Sequence, residues 1–118
     1  MPPKPHCNRG DVVLVLFPHS DLKTAKTRPV VVVQADALQS GMPQVIVAMI
    51  SGRMSRAGHQ SRVVIEKNST RGRRSGLLGD SVIMADNLAT VALTAIDRVI
   101  GSVAMAEIDD ALRHTLGL

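Results

Sequence analysis

Arg28-Pro29-Val30-Val31-Val32-Val33 sets a cation at the head of the most β-prone run in the chain. Four consecutive β-branched residues predict a strand that is dry on both faces, because an alternating pattern would be needed to leave one face wet. Proline has no amide hydrogen to give a ladder, so Pro29 is expected at the first residue of that strand. Arg28 then stands where a loop ends and a rigid wall begins, with its side chain facing whatever cleft the loop forms. A second reading is open at this point: an arginine whose stem lies over an apolar edge while its head stays in water.

Working outward, the apolar runs are short and separated by turn residues. Val12–Phe17 predicts a first strand that Pro18 stops, and the polar, aperiodic segment His19–Thr27 predicts a loop. The valine strand runs to Gln34, and Ser40-Gly41 marks a turn before a third strand over Val45–Ile50. Residues 53–60 carry no clean period and read as loop. Arg62–Ile65 predicts a short strand, Lys67–Gly79 a long basic loop, and Ser81–Met84 and Leu88–Val91 two short strands around an Asp86-Asn87 turn. The last strand falls in Ile96–Val103. After it the period changes: Met105, Ile108, Leu112 and Leu116 recur at helical spacing, with Gly117 placed to stop the helix. The expected fold class is mainly β with a C-terminal helix. Residues 1–8, rich in proline, read as an extended arm, and residues 9–118 as a single domain.

Composition narrows the function classes. The chain of 118 residues suits one small domain, and its 45% hydrophobic content argues against disorder. Phe17 is the only aromatic residue, so a bound nucleic acid gains little from stacking on rings. Cys7 is the only cysteine, which suits a reducing, cytoplasmic setting, and no second Cys/His pair follows Cys7 and His6 at ligand spacing, so no metal is expected. No cofactor motif is present, and no apolar run approaches the roughly 20 residues of a membrane span. Charge is unevenly spread. Residues 53–74 hold Arg53, Arg56, Arg62, Lys67, Arg71, Arg73 and Arg74 against Glu66 alone, whereas residues 80–118 hold six acids and two bases. Two readings stand: a basic face for an anionic partner, or arginines that keep loops soluble.

Four segments, in order, resemble the MazF/PemK family of toxin endoribonucleases: Arg9-Gly10-Asp11-Val12-Val13; Phe17-Pro18 followed ten residues later by Arg28-Pro29; Val45–Ser51, an apolar strand ending in a hydroxyl residue; and Gly79-Asp80-Ser81-Val82-Ile83 with Asp86-Asn87 beyond. The resemblance covers residues 9 to about 116. It implies an SH3-like small β-barrel of the MazF/PemK/CcdB type, forming a homodimer, that cuts single-stranded RNA without a metal. The 2′-hydroxyl attacks its own phosphate and leaves a 2′,3′-cyclic phosphate and a 5′-hydroxyl. It further implies a cognate antitoxin protein as partner, and Arg28 and Ser51 as the catalytic pair.

The side-chain chemistry fits that implication. A guanidinium holds two phosphoryl oxygens at once and stays charged, and a strand-end hydroxyl supplies one more donor to the charge that develops. Ser51 before Gly52 also reads as an ordinary turn serine. His19 and His59 have the intrinsic pKa for proton transfer, although each also reads as a loop residue; Asp21 and Lys26 share the loop that feeds Arg28. Phe17, Arg53, Asp86 and Asn87 are the expected RNA-binding residues. The sequence departs from the family pattern in having serine for threonine at position 51, no aromatics beyond Phe17, and Ala89 where an arginine is common. The alternative is a non-catalytic barrel of the same fold that binds nucleic acid, antitoxin or gyrase; the end Leu116-Gly117-Leu118, without tryptophan, speaks against gyrase.

Overall fold

The computed structural model describes residues 7–18, 25–38 and 40–118. Six strands, β1 (Asp11–Pro18), β2 (Ala25–Val32), β3 (Gln44–Ser51), β4 (Arg62–Ile65), β5 (Ser81–Ala92) and β6 (Ile96–Ser102), form one antiparallel sheet in the order β4-β5-β3-β2-β1-β6. Two helices accompany it, α1 (Thr70–Ser75) and α2 (Ala106–Leu116), with short 3₁₀ turns at Met54–Arg56 and Leu93–Ala95. The expected class, mainly β with a terminal helix, is what is found. The sheet has to curl, because Val12 of β1 shares a core with Val63 and Ile65 of β4 at the far end of the strand order. Among the described residues no ladder joins β4 to β6, so the body is barrel-like without being closed by hydrogen bonds.

The valine strand is dry on both faces, as its composition dictates. Val31 packs with Val12, Ala48, Ile83 and the α2 residues Ile108 and Ala111 in one cluster. Val30 and Val32 pack with Val13, Val15, Val47 and Val91 in the other. Successive residues of one strand thus supply two cores.

Several boundaries differ from the sequence reading. β2 begins at Ala25, so Arg28 and Pro29 lie inside the strand rather than at its start. β5 is a single strand of 12 residues, not two around a turn. The basic segment 67–79 is not all loop: Ser69 caps α1, its Oγ accepting the Gly72 N–H at 2.9 Å and donating to the Glu66 carbonyl at 2.6 Å. Gly76 ends α1 at φ +73°, and a Cβ there would stand 2.1 Å from the Ile100 carbonyl oxygen. Helix α1 is therefore seated backbone-to-backbone on β6. In α2 the inward stripe is Ile108 and Ala111, while Leu116 stays exposed. The helix ends at Gly117 as expected. Of the residues read as an N-terminal arm, Cys7 packs against the second core and the Asn8 N–H bonds Asp11 at 2.7 Å. Residues 1–6 lie outside the described residues.

Arg9-Gly10-Asp11 serves as a clasp. Arg9 donates from Nε to the Val33 carbonyl at 3.0 Å and from Nη2 to Asp109 of α2 at 2.5 Å. Gly10, at φ +93°, bonds Val32 and Val103 through its backbone. The entry to β1, the exit of β2 and the terminal helix are fixed together at this point.

Candidate active site

Pro29 determines where the sheet opens. Val33 donates its N–H to the Ile46 carbonyl, and bonded pairs recur every second residue, so the backbone groups of residues 31 and 29 also point towards β3. The register runs Val32↔Val47, Val31↔Ala48, Val30↔Met49 and stops. The next bond would need an N–H from Pro29 to the Ile50 carbonyl, and proline has none. On its other side β2 is unaffected: its ladder with β1 continues through Leu14↔Pro29 and Val15↔Arg28 to Pro18↔Ala25. β3 meanwhile continues with β5 to Ser51↔Val82. The β2–β3 seam opens beyond Pro29, and clefts form there.

Extending the register two residues past Val30↔Met49 sets Arg28 opposite Ser51 on the same side of the sheet. Both line a cleft of about 320 Å³ together with Met49, Arg53, Arg56, Met84 and Asn87. A larger cleft of about 510 Å³ lies on the other side of β2, with Leu14, Pro29, Ile50, Leu77, Leu78 and Ile100 as its apolar lining and Lys26, Arg28 and Arg98 as its cations. Arg28, exposed, lines both.

The first cleft is rich in donors. Ser51 Oγ accepts the Arg53 N–H at 3.1 Å, which fixes the oxygen in a turn and leaves the hydroxyl proton able to donate outward. Asn87 reaches the cleft because of a bulge in β5: Ala48 pairs with Leu88 but Met49 pairs with Met84, so three residues of β5 have no partner on β3. The bulge sends Asp86 the other way. Arg62 grips its carboxylate from Nη2 at 2.8 Å and Nε at 3.4 Å. The Arg62 hydrogen bond holds the Asp86 carboxyl below its ordinary range, and the same bond raises Arg62.

The structure brings together Arg28, Ser51, Arg53 and Asn87 of the residues singled out in the sequence, and sets Lys26 in the adjoining cleft. Phe17 is half-buried against the second core, paired with Lys26 across β1 and β2. His59 is elsewhere: its Nδ1 accepts the Ser61 N–H at 3.0 Å and its ring meets His114 of α2 edge-on, with centroids 6.0 Å apart. His19 and Asp21 lie outside the described residues. Among the described residues no group of three or more His, Cys, Asp or Glu is arranged to hold a metal. Nor is any helix among them long and apolar enough to cross a membrane. Sequence reading missed Arg56 and Arg98, which no motif marks and which only the packing of the 3₁₀ turn and of β6 brings to the clefts.

The uneven charge is in part consumed inside the molecule. Arg71 of α1 pairs with Glu107 at 2.6 Å, Arg9 with Asp109, and Arg113 with Asp110 at 2.9 Å. Only the first of these joins the basic segment to the acidic helix; the other two come from the N-terminal clasp and from the helix itself. Arg28, Arg53 and Arg56 converge on the first cleft.

The PemK-like, MazF-like toxins of type II toxin–antitoxin systems match this chain over residues 8–116. The chain belongs to that family. Its fold is similar to an endoribonuclease solved in complex with its cognate antitoxin from a mycobacterial species, at 22% identity and a TM-score of 0.71, covering 96% of this chain and 97% of that one. A Mycobacterium tuberculosis MazF toxin matches at 21% identity and a TM-score of 0.69, covering 92% and 97%. The toxin of a MazE–MazF complex from Deinococcus radiodurans matches at 15% identity and a TM-score of 0.71, covering 95% and 96%. Membership of the family and the shared fold agree with the resemblance read in the sequence.

Proposed function

We propose that this family member is a metal-independent endoribonuclease acting on single-stranded RNA, with Arg28 and Ser51 as its catalytic pair. The observation that carries this is the convergence of both side chains on one cleft at the point where Pro29 ends the β2–β3 ladder. The 2′-oxygen bonds the adjacent phosphorus while the bond to the 5′-oxygen breaks, leaving a 2′,3′-cyclic phosphate and a 5′-hydroxyl. Negative charge grows on the phosphoryl oxygens in between. The Arg28 fork and the Ser51 hydroxyl are donors aimed at that charge, and the strands set both in advance. Among the described residues the lining of this cleft offers donors but no carboxylate or imidazole. Water therefore takes the 2′-hydroxyl proton and gives one to the departing 5′-oxygen, so that the exchange balances without a side chain of the cleft.

The partners follow the same reading. A cognate antitoxin and a second copy of the chain are the proposed protein partners, supported by the 91% exposed Leu78 at the apolar cleft, by the exposed Leu16 and by outer edges of β4 and β6 that no strand among the described residues covers. The test is incubation of purified protein with single-stranded RNA in EDTA, followed by analysis of the ends. Cyclic phosphate and 5′-hydroxyl ends that vanish in Arg28→Ala are expected. Intact RNA with the wild-type protein, or full cutting by the variant, would overturn the assignment.

A further inference from the structure

Arg62 uses its whole guanidinium fork within the fold. Two nitrogens hold Asp86, and the third, Nη1, donates to the carbonyl oxygen of Arg56 at 3.1 Å. Arg56 belongs to the 3₁₀ turn that follows Ser51, and its own Nη1 lies 3.5 Å from the Met84 sulfur, a weak acceptor on the cleft floor. The turn has no side-chain cap and buries none of its residues. Its last residue is held by the turn's own bond from the Arg56 N–H to the Arg53 carbonyl at 3.0 Å and, from outside the turn, by Arg62, whose pair with Asp86 ties it to the first residue of β4 and to the bulge of β5. That same bulge turns Asn87 into the cleft. Arg56 is half-exposed and, with Arg28 and Ser51, lines the cleft, whose lining among the described residues includes no acid, and Asp86 is committed to Arg62.

We infer that Arg56 binds a backbone phosphate of the RNA next to the one being cut, and that Asp86 and Arg62 are positioning residues that hold it there. The inference rests on the reading of the cleft as an RNA site. Arg28 serves the reacting phosphate, and a strand running through the cleft presents its next phosphate to a second cation. Arg56 supplies that cation from the turn that follows Ser51. Asp86, rather than meeting the RNA, neutralises Arg62 and orients the Arg56 backbone.

The test is the salt dependence of binding to a short single-stranded DNA of mixed sequence, which has no 2′-hydroxyl and cannot be cut. Each phosphate contact on a single strand adds about 0.7 to the slope of log affinity against log salt. Arg56→Ala should lower that slope by about 0.7 and weaken binding roughly three- to tenfold, while Arg56→Lys keeps the slope. Asp86→Asn should weaken binding to a similar extent, and on RNA its loss should fall on KM rather than kcat. Combining it with Arg56→Ala should cost no more than Arg56→Ala alone. Arg56 lies on an exposed turn, so its variants carry the test even where Asp86→Asn lowers the melting temperature. An unchanged slope in Arg56→Ala, or additive losses in the double variant, would overturn the inference. If the wild-type protein binds the DNA with an Arg56-dependent slope yet cuts no RNA, the nuclease reading fails and the phosphate site stands. If it cuts RNA and the slope ignores Arg56, the phosphate site fails alone.

Discussion

Arg28 on β2 and Ser51 on β3 occupy facing positions two residues beyond the last paired residues of their strands, Val30 and Met49. Their backbones are held by sheet on the outer sides, through Val15↔Arg28 and Ser51↔Val82. Only the seam between them is open. Two donors are thereby fixed on a rigid frame with a cleft between them, the arrangement electrostatic catalysis needs.

Arg28→Ala should reduce RNA cleavage by at least about 10²-fold, the cost of losing one aligned donor to a developing charge. Arg28→Lys should recover little, because an ammonium cannot span two phosphoryl oxygens. Arg28 is exposed, so the melting temperature should stay close to that of the wild type. Cleavage of a labelled oligonucleotide and a thermal melt check both.

Ser51→Ala should lower kcat by about 10²-fold with little change in KM, because its hydroxyl is assigned to the transition state. Ser51→Thr should retain activity or increase it, since the added methyl restricts the rotamer. Steady-state kinetics on one defined RNA distinguish these outcomes.

Pro29→Ala should supply the missing N–H opposite the Ile50 carbonyl and extend the β2–β3 ladder across the cleft mouth. Activity should fall although no catalytic atom is touched. In hydrogen-exchange NMR the new amide at position 29 should be protected. A rapidly exchanging amide with full activity would mean that the proline is not what holds the seam open.

Gly76→Ala should destabilise the fold by more than about 2 kcal/mol, since it combines a left-handed backbone with a Cβ driven into the Ile100 carbonyl. Chemical denaturation measures the loss. Gly41→Ala is the control: it shares the positive φ, and nothing among the described residues lies within 4 Å of its Cβ position, so its cost should be smaller.

Acid should release the Asp86 clamp. Asp86 is held below its ordinary pKa by the Arg62 hydrogen bond, so its contribution is fully present above the unfolded carboxylate value of about 4 and is lost as pH falls through the lower folded value. Melting temperatures of the wild type and Asp86→Asn should therefore differ by a constant amount at neutral pH and converge below about pH 4. A gap that persists into acid would show that the charge is not what stabilises the contact.

What the sequence by itself determined was the material of the fold. Val30–Val32 specify a strand buried on both faces, and Ile108 with Gly117 specify an amphipathic helix and its end, because periodicity and backbone freedom are local properties. It also carried Arg28, Pro29 and Ser51 in the order that marks the family. Tertiary structure alone decided the rest. Pro29 is harmless to the β1 ladder and fatal to the β3 ladder only because of which neighbour its nitrogen faces, and that is a fact of register. Asp86 and Asn87 are adjacent in sequence, yet a bulge sends one to Arg62 and the other to the cleft. Arg56 and Arg98 look like any other basic residues until the curl of the sheet brings distant segments to the two clefts that Arg28 lines. Local pattern sets which elements form; which side chains share a cleft depends on pairings across the whole chain, which no short stretch encodes.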